Sequence, residues 1–392
     1  MRALDYRLAA WYTAAVGTIS MVPYLAVILS DTGLSDRAVA ATMALLPVGA
    51  LLGGPLWALY ADRTGSPRRV LQVSAAFTAL ATTLLLGTEQ AAWVALALLL
   101  YALARAPIFA LGDAIVLRVL PGGRSTYGRF RLWGSATYLL LAGLNGWARG
   151  TWPRAPLWVT WAFVLATVAA ASGLPSPRLP PRPPLRDALK ALGARPALLP
   201  LLAACTLHGM GLSTYDSLYS LHIDHLGLAS WVVGAAVAIG VAAEVTFMAL
   251  APRLLGWLSP WTLLVIGLAS SIPRWWWTGS AHGAAVQIAV QSLHGLGFGA
   301  FWIAGVTLVA EEAPDGLEAS TQALFPAAVF GIGSLLSMGT AALALETIGT
   351  GTLFHGMSTV SVVATLLALW AARDAPWTHR GGVSQVEDTP AG

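Results

Sequence analysis

Charge is what this chain has least of. Of its 392 residues only 10% are Asp, Glu, Lys or Arg, while 57% are hydrophobic; an ordinary soluble domain is roughly 25% charged. So few charges cannot keep that much apolar side chain in water, which excludes a water-soluble globule. Cysteine is almost missing as well. Cys205 stands alone, so there is no disulfide framework and no cysteine-built zinc site. Stretches of alternating polar and apolar residues are absent, which removes a membrane β-barrel. No nucleophile–base pair or metal-ligand spacing stands out, so neither an enzyme, a metal site nor a cofactor is expected.

Long hydrophobic runs are what the chain does have. A helix needs about 20 mostly apolar residues to cross the hydrocarbon core. Twelve such runs can be read, at 8–30, 38–60, 70–88, 91–118, 132–148 and 156–174, then at 197–222, 230–250, 260–278, 281–310, 319–346 and 353–372. The fold class expected is an all-α membrane protein of twelve transmembrane helices. The basic residues set its orientation. With the N-terminus inside, the outer loops hold only Arg37, Arg149 and Arg154, Arg105 and Arg274 lie inside spans, and the other basic residues fall on inner segments. Both termini are thus expected in the cytoplasm, in a cell membrane of the bacterial inner-membrane type. The net charge of +4 reads as topology, with anionic headgroups of the lipid bilayer as its partner, and nucleic acid is not a partner.

Residues 175–196 differ from the rest. Pro175, Pro177, Pro180, Pro181, Pro183 and Pro184 favour an extended spacer, followed by a short amphipathic stretch from Leu185 to Leu192. The expected organisation is an N-terminal six-helix bundle over 1–174, a cytoplasmic linker over 175–196, a C-terminal six-helix bundle over 197–372 and a cytoplasmic tail over 373–392. Transporters made of two pseudo-symmetric halves are organised in this way.

Ionisable residues inside a membrane need a wet cavity or a partner. Arg105 and Asp113 fall on the fourth span and Arg131 opens the fifth; His208 and Asp216 lie on the seventh, Glu244 on the eighth, Arg274 on the ninth and His294 on the tenth. Gln287, Gln291, His294, Phe298 and Trp302 recur at helical spacing and form one stripe. Val237, Gly240, Val241 and Met248 surround Glu244 on its face, which makes it an isolated carboxylate able to exchange protons; the alternative is pairing with Arg274. His208 reads as a packing histidine, Trp275 to Trp277 as an interfacial aromatic belt, and the acidic loop of Glu311, Glu312, Asp315 and Glu318 as a solvated turn. Arg118 reads as a snorkelling side chain. Arg105 reads equally as a substrate contact or a structural partner.

The segment from Leu56 to Arg69, with Asp62, Arg63, Gly65, Arg68 and Arg69, resembles the signature loop of the major facilitator superfamily. Ala58 replaces its usual glycine, and residues 251–256 resemble a degenerate second copy. A closer resemblance is to the branch containing lactose permease, the 3-phenylpropionate permeases and the nucleoside–proton symporters. It rests on the run from Tyr127 to Ser135, on Asp113 eighteen residues before Arg131, and on Tyr138 at the place of a stacking aromatic. Thr214, Tyr215 and Asp216, then Glu244, Arg274 and His294, carry it through the second half. The resemblance implies a secondary active transporter, a proton-coupled symporter of a sugar, nucleoside or small carboxylate working by alternating access. It implies Asp113, Arg131, Tyr138, Asp216, Glu244, Arg274, His294 and Gln291 as substrate contacts, and Glu244, Asp216, Asp113 and His294 as proton-coupling groups. Asp62, Arg63, Gly65, Arg68 and Arg69 would form a conformational gate. Gly297 stands where lactose permease has its proton-carrying glutamate, and Gln291 and Tyr219 stand where it has a charge pair, so its coupling scheme does not carry over. The partners implied are a small-molecule substrate and protons, with a monomer expected. The alternative is a proton-driven exporter of amphipathic drugs or metabolites.

Overall fold

In hydrocarbon every backbone N–H and C=O must be satisfied within the segment that carries it, so each apolar run folds as helix. A computed structural model describes residues 3–120, 124–177, 185–195, 197–254 and 257–373, as helices joined by turns. Among the described residues, nine segments are long and apolar enough to cross a bilayer. One of them, Ser320–Ala371, is 52 residues long and is broken at Gly349, whose φ of 74° and ψ of 165° no helix contains. Glycine adopts this conformation without a β-carbon clash, so the rod divides into two passes. Arg124–Arg149 and Pro260–Ser280 also have spanning length but are more polar. Together these segments account for the twelve spans read from the sequence. The fifth helix starts at Arg124 rather than near 132, because a helix continues past the hydrocarbon wherever its backbone bonds can.

Several spans are interrupted near their middles. The first consists of Ala3–Gly17 and Val22–Asp31, with Pro23 in the first turn of the second piece. The fourth consists of Ala91–Arg105 and Pro107–Val119, parted where Pro107 lacks the N–H that would continue the ladder. The tenth passes from Ala284–Ala289 through a tight turn at Val290–Leu293 and a π-helical turn at Gly295–Ala300 into Phe301–Glu311. The eleventh has a second π-helical stretch at Ala327–Gly333, directly after Pro326. Such turns release backbone carbonyls from the regular ladder and gather at functional sites.

The outer surface is apolar, with Leu343 80% and Leu140 69% exposed, as lipid contact requires. Inside, helices approach through small residues. A β-carbon on Gly234 would lie 2.6 Å from the Ala142 carbonyl oxygen and 3.0 Å from the Tyr24 hydroxyl. That crossing joins the fifth and eighth spans, one from each half. Further bridges between the halves lie at the same end. Arg149 Nη1 donates to Ser230 Oγ at 2.8 Å and His225 Nε2 lies 3.4 Å from Asp36 Oδ1. Arg149 Nη2 also donates to Asp31 Oδ2 at 2.6 Å. This is the end opposite the linker, whose described part forms the helix Leu185–Ala194 packed on Glu318–Pro326. Among the described residues, these polar bridges between the halves lie at that end.

Candidate functional site

The N-terminal half contributes a directly bonded ion pair. Arg131 Nη1 donates to Asp113 Oδ2 at 3.1 Å, and the buried Tyr12 hydroxyl donates to Asp113 Oδ1 at 2.6 Å. Both carboxylate oxygens are thus engaged, one by the fifth span and one by the first. Pro107 restarts the fourth helix six residues before Asp113, and Trp11 packs over Gly112. The side chains of Arg131 and Asp113 are 49% and 26% exposed, so the pair is not sealed inside the bundle. Arg105 lies two turns away along the fourth span, with Cζ 5.7 Å from the ring centroids of both Tyr101 and Phe109.

The C-terminal half contains a buried network. Arg274 is fully buried. Its Nε donates to Gln291 Oε1 at 2.9 Å and its Nη1 to His294 Nδ1 at 3.0 Å. The guanidinium carbon lies 4.6 Å from the Tyr215 ring centroid and 4.2 Å from that of Trp275, so cation–π contacts replace solvation. Gln291 Nε2 passes the chain on to Thr278 Oγ1 at 3.2 Å. Guanidinium N–H groups only donate, so His294 Nδ1 accepts and the ring proton sits on Nε2. That nitrogen is 3.5 Å from Glu244 Oε2. Glu244 is therefore not isolated: its partner is His294, and Arg274 reaches it only through the imidazole. Gln291 lies behind this wall, shaping Arg274.

One cavity between the halves is lined by Tyr138 from the first and Asp216, Tyr215, Val237, Gly240 and His294 from the second. Its volume is about 50 Å³, room for a few waters and far below the 300–1,000 Å³ of a typical ligand pocket. Tyr138, Asp216 and His294 thus share a void, with Glu244 reached through His294. Asp113 and Arg131 lie closer to the linker end.

At the linker end, Gly65 at φ 60° closes the second span and the Ser66 hydroxyl accepts from the Arg69 N–H at the start of the third. Ser66 Oγ meets Ser176 Oγ at 3.2 Å, and Arg68 Nη1 donates to the Leu174 carbonyl at 3.5 Å. This loop is therefore tied to the start of the linker. Arg63 and Arg69 are exposed. The side chains of Asp62 and of residues 124–129, part of the second loop copy and the tail beyond 373 lie outside the described residues.

Sequence reasoning did not find Tyr12, which sits in an apolar run with nothing to mark it. It also missed the chain in which His222 meets Thr350 Oγ1 and the Thr278 carbonyl, each at 2.8 Å. His208 is buried, its ring tilted against that of Phe301 with centroids 4.3 Å apart, and with Nε2 2.6 Å from the Gly297 carbonyl of the π-helical turn. The aromatic belt needs a correction. Trp276 and Trp277 are each 53% exposed, but Trp275 is fully buried beneath Arg274, because successive helical residues point about 100° apart.

Comparison with known proteins agrees with this architecture. The chain is 27% identical over 376 residues to the maltose permease of Geobacillus stearothermophilus, covering 90% of this chain and 91% of that protein. It is 25% identical over 370 residues to a probable 3-phenylpropionic acid transporter of Escherichia coli (strain K12), covering 89% and 92%. Among solved structures, the nucleoside transporter NupG superposes with a TM-score of 0.81 at 15% identity, covering 94% of this chain and 99% of that one. An autoinhibited POT family peptide transporter superposes at 0.77 with 14% identity, covering 96% and 98%. The profile of the MFS_1 like family matches residues 10–355, and the chain belongs to that family of major facilitator transporters.

Proposed function

We propose that this transporter is a proton-coupled symporter of a small polar organic solute, a sugar, nucleoside or small carboxylate, working by alternating access. The observation that carries the reading is the void between the halves, lined by Tyr138 of the first and by Asp216 and His294 of the second, with the Asp113–Arg131 pair towards the linker end. Asp113 and Arg131 engage the solute from the first half, with Tyr138 offering a ring face. Asp216, Glu244 and His294 engage it from the second, with Arg274 and Gln291 holding His294. A proton on Glu244, Asp216 or Asp113 removes a charge that closure would strip of water, so proton and solute binding become linked. His294, its Nδ1 occupied by Arg274, tunes Glu244 as a fixed donor. The halves 1–174 and 197–372 rock about the site, joined by the linker 175–196. The loop of Asp62, Arg63, Gly65, Arg68 and Arg69 bridges the inner helix ends when that end closes. The protein acts as a monomer in the bacterial inner membrane with both termini and the tail 373–392 cytoplasmic.

The names of the relatives define the test. Proteoliposomes with an inward proton gradient are offered maltose, uridine and 3-phenylpropionate. One of them accumulates above the outside level, an uncoupler abolishes accumulation, and Glu244→Gln retains binding while losing accumulation. Accumulation by Glu244→Gln equal to the parent would remove that carboxylate from coupling. Proton-driven extrusion of an amphipathic compound in the same vesicles would favour the exporter instead.

A further inference from the structure

Arg105 takes no part in the arrangement above, and its neighbours settle which way it points. Ala102 and Ala106 face the second span, where β-carbons on Gly49 and Gly53 would lie 2.5 and 2.8 Å from their methyl groups. The Ala104 carbonyl is taken by Ser74 Oγ of the third span at 2.7 Å. Tyr101, Arg105, Phe109 and Asp113 are spaced by four and so form one stripe. Both ends of that stripe meet the first span, Tyr101 through its hydroxyl to the Thr18 carbonyl and Asp113 through Tyr12. Arg105 therefore faces the same side as the Asp113–Arg131 pair, opposite the break between Ala3–Gly17 and Val22–Asp31. Interrupted spans are where transporters of this architecture place their solutes.

The guanidinium is incompletely satisfied. Rings lie on either side of it along the helix, at 5.7 Å each, leaving its edge as the free part. Its Nε is buried without a hydrogen-bond partner, and among the described residues its side chain makes no ion pair within 4 Å. Asp113 is already engaged by Arg131 and Tyr12. Among the described residues, this wall carries the guanidinium groups of Arg105 and Arg131 and the carboxylate of Asp113. The tenth span, the counterpart of the fourth in the other half, carries stacked rings: His294 on Phe298 at 5.3 Å and 10°, and Phe298 on Trp302 at 5.6 Å and 16°. A planar fork with a free edge suits a carboxylate, and a stacked ladder suits a flat apolar body.

We infer that Arg105 is an anion-recognition residue, and that the solute is a carboxylate with a flat apolar body rather than a neutral sugar. The inference rests on the central opening being the solute path.

The test uses purified full-length protein and a pair of probes alike in shape, 3-phenylpropionate and the uncharged 3-phenylpropanamide, read by thermal shift and titration. The acid raises the unfolding midpoint and the amide does not. Arg105→Gln binds the acid about tenfold more weakly, the loss of one charge-assisted pair, and Arg105→Lys recovers part of it. Equal responses to acid and amide, no response to either, stabilisation by maltose alone, or unchanged affinity in Arg105→Gln would each overturn the inference. A second measurement does not depend on that variant folding. Cys205 is buried, so in Arg105→Cys an anionic thiosulfonate reagent reports position 105: it labels the new thiol, and the acid slows labelling. An unreactive thiol shows that the position does not face water and ends the inference. Acid binding through Arg105 without proton-driven accumulation would break the symport reading and leave this one standing. Accumulation with affinity independent of Arg105 would do the reverse.

Discussion

Asp113 and Arg131 bond directly at 3.1 Å with the arginine side chain 49% exposed. Arg274 is fully buried and is held by an amide, an imidazole and two rings. A wet pair in high dielectric contributes little to stability and opens readily, as a site that must exchange partners requires. A guanidinium packed among fixed neutral acceptors cannot leave without stranding them. On the proposed reading the first half supplies contacts that can be traded for solute, while the second supplies a rigid frame that orients His294 towards Glu244.

The largest effect should come from breaking the frame. Arg274→Gln leaves Gln291 Oε1 and His294 Nδ1 buried without their donor, at about 1–3 kcal/mol for each acceptor. The unfolding midpoint in detergent should fall clearly, and solute binding should be lost even in the molecules still folded. A midpoint equal to that of the parent would show that the network is as loose as the ion pair. A smaller change is expected at the closed end. In Gly234→Leu the side chain meets the Ala142 carbonyl, 2.6 Å from the new β-carbon, and forces the fifth and eighth spans apart. Spin labels on Thr32 and Leu228 should then move apart, and water should reach the cavity behind Val237 from that side, with the Asp113 side unchanged. Unaltered label distances would place the closure elsewhere. The smallest stability effect belongs to Asp113→Asn, which keeps an acceptor for Tyr12 and removes an ion pair worth about 0–1 kcal/mol. Its midpoint should stay near that of the parent while solute affinity drops. A midpoint loss matching that of Arg274→Gln would mean the two clusters are built alike.

Much of the candidate site was legible because charge inside an apolar run is rare and always needs an explanation. Asp113, Arg131, Asp216, Glu244, Arg274 and His294 could each be named from that alone, and the interval between Asp113 and Arg131 foretold their meeting. Partners were harder to read. Glu244 looked isolated on its own helix, since helical spacing reports nothing about the neighbouring helix that brings His294 to it. Gln291 shares a stripe with His294, but the tight and π-helical turns at 290–300 alter the register, and Gln291 ends up behind the wall. Tyr12 carried no signal because an aromatic residue in a span is usually packing.

The sequence by itself determined the class of molecule, the twelve apolar runs and the residues whose burial would be expensive, since hydrocarbon length and ion solvation act on each segment separately. Only the tertiary structure decided who satisfies whom: that Arg274 grips an imidazole rather than a carboxylate, that Asp113 has a tyrosine as second donor, and that Arg149 reaches across to Ser230 of the other half. Those outcomes depend on distances between helices far apart in the chain, which are set by the fit of whole packed surfaces and leave no local mark on any one of them.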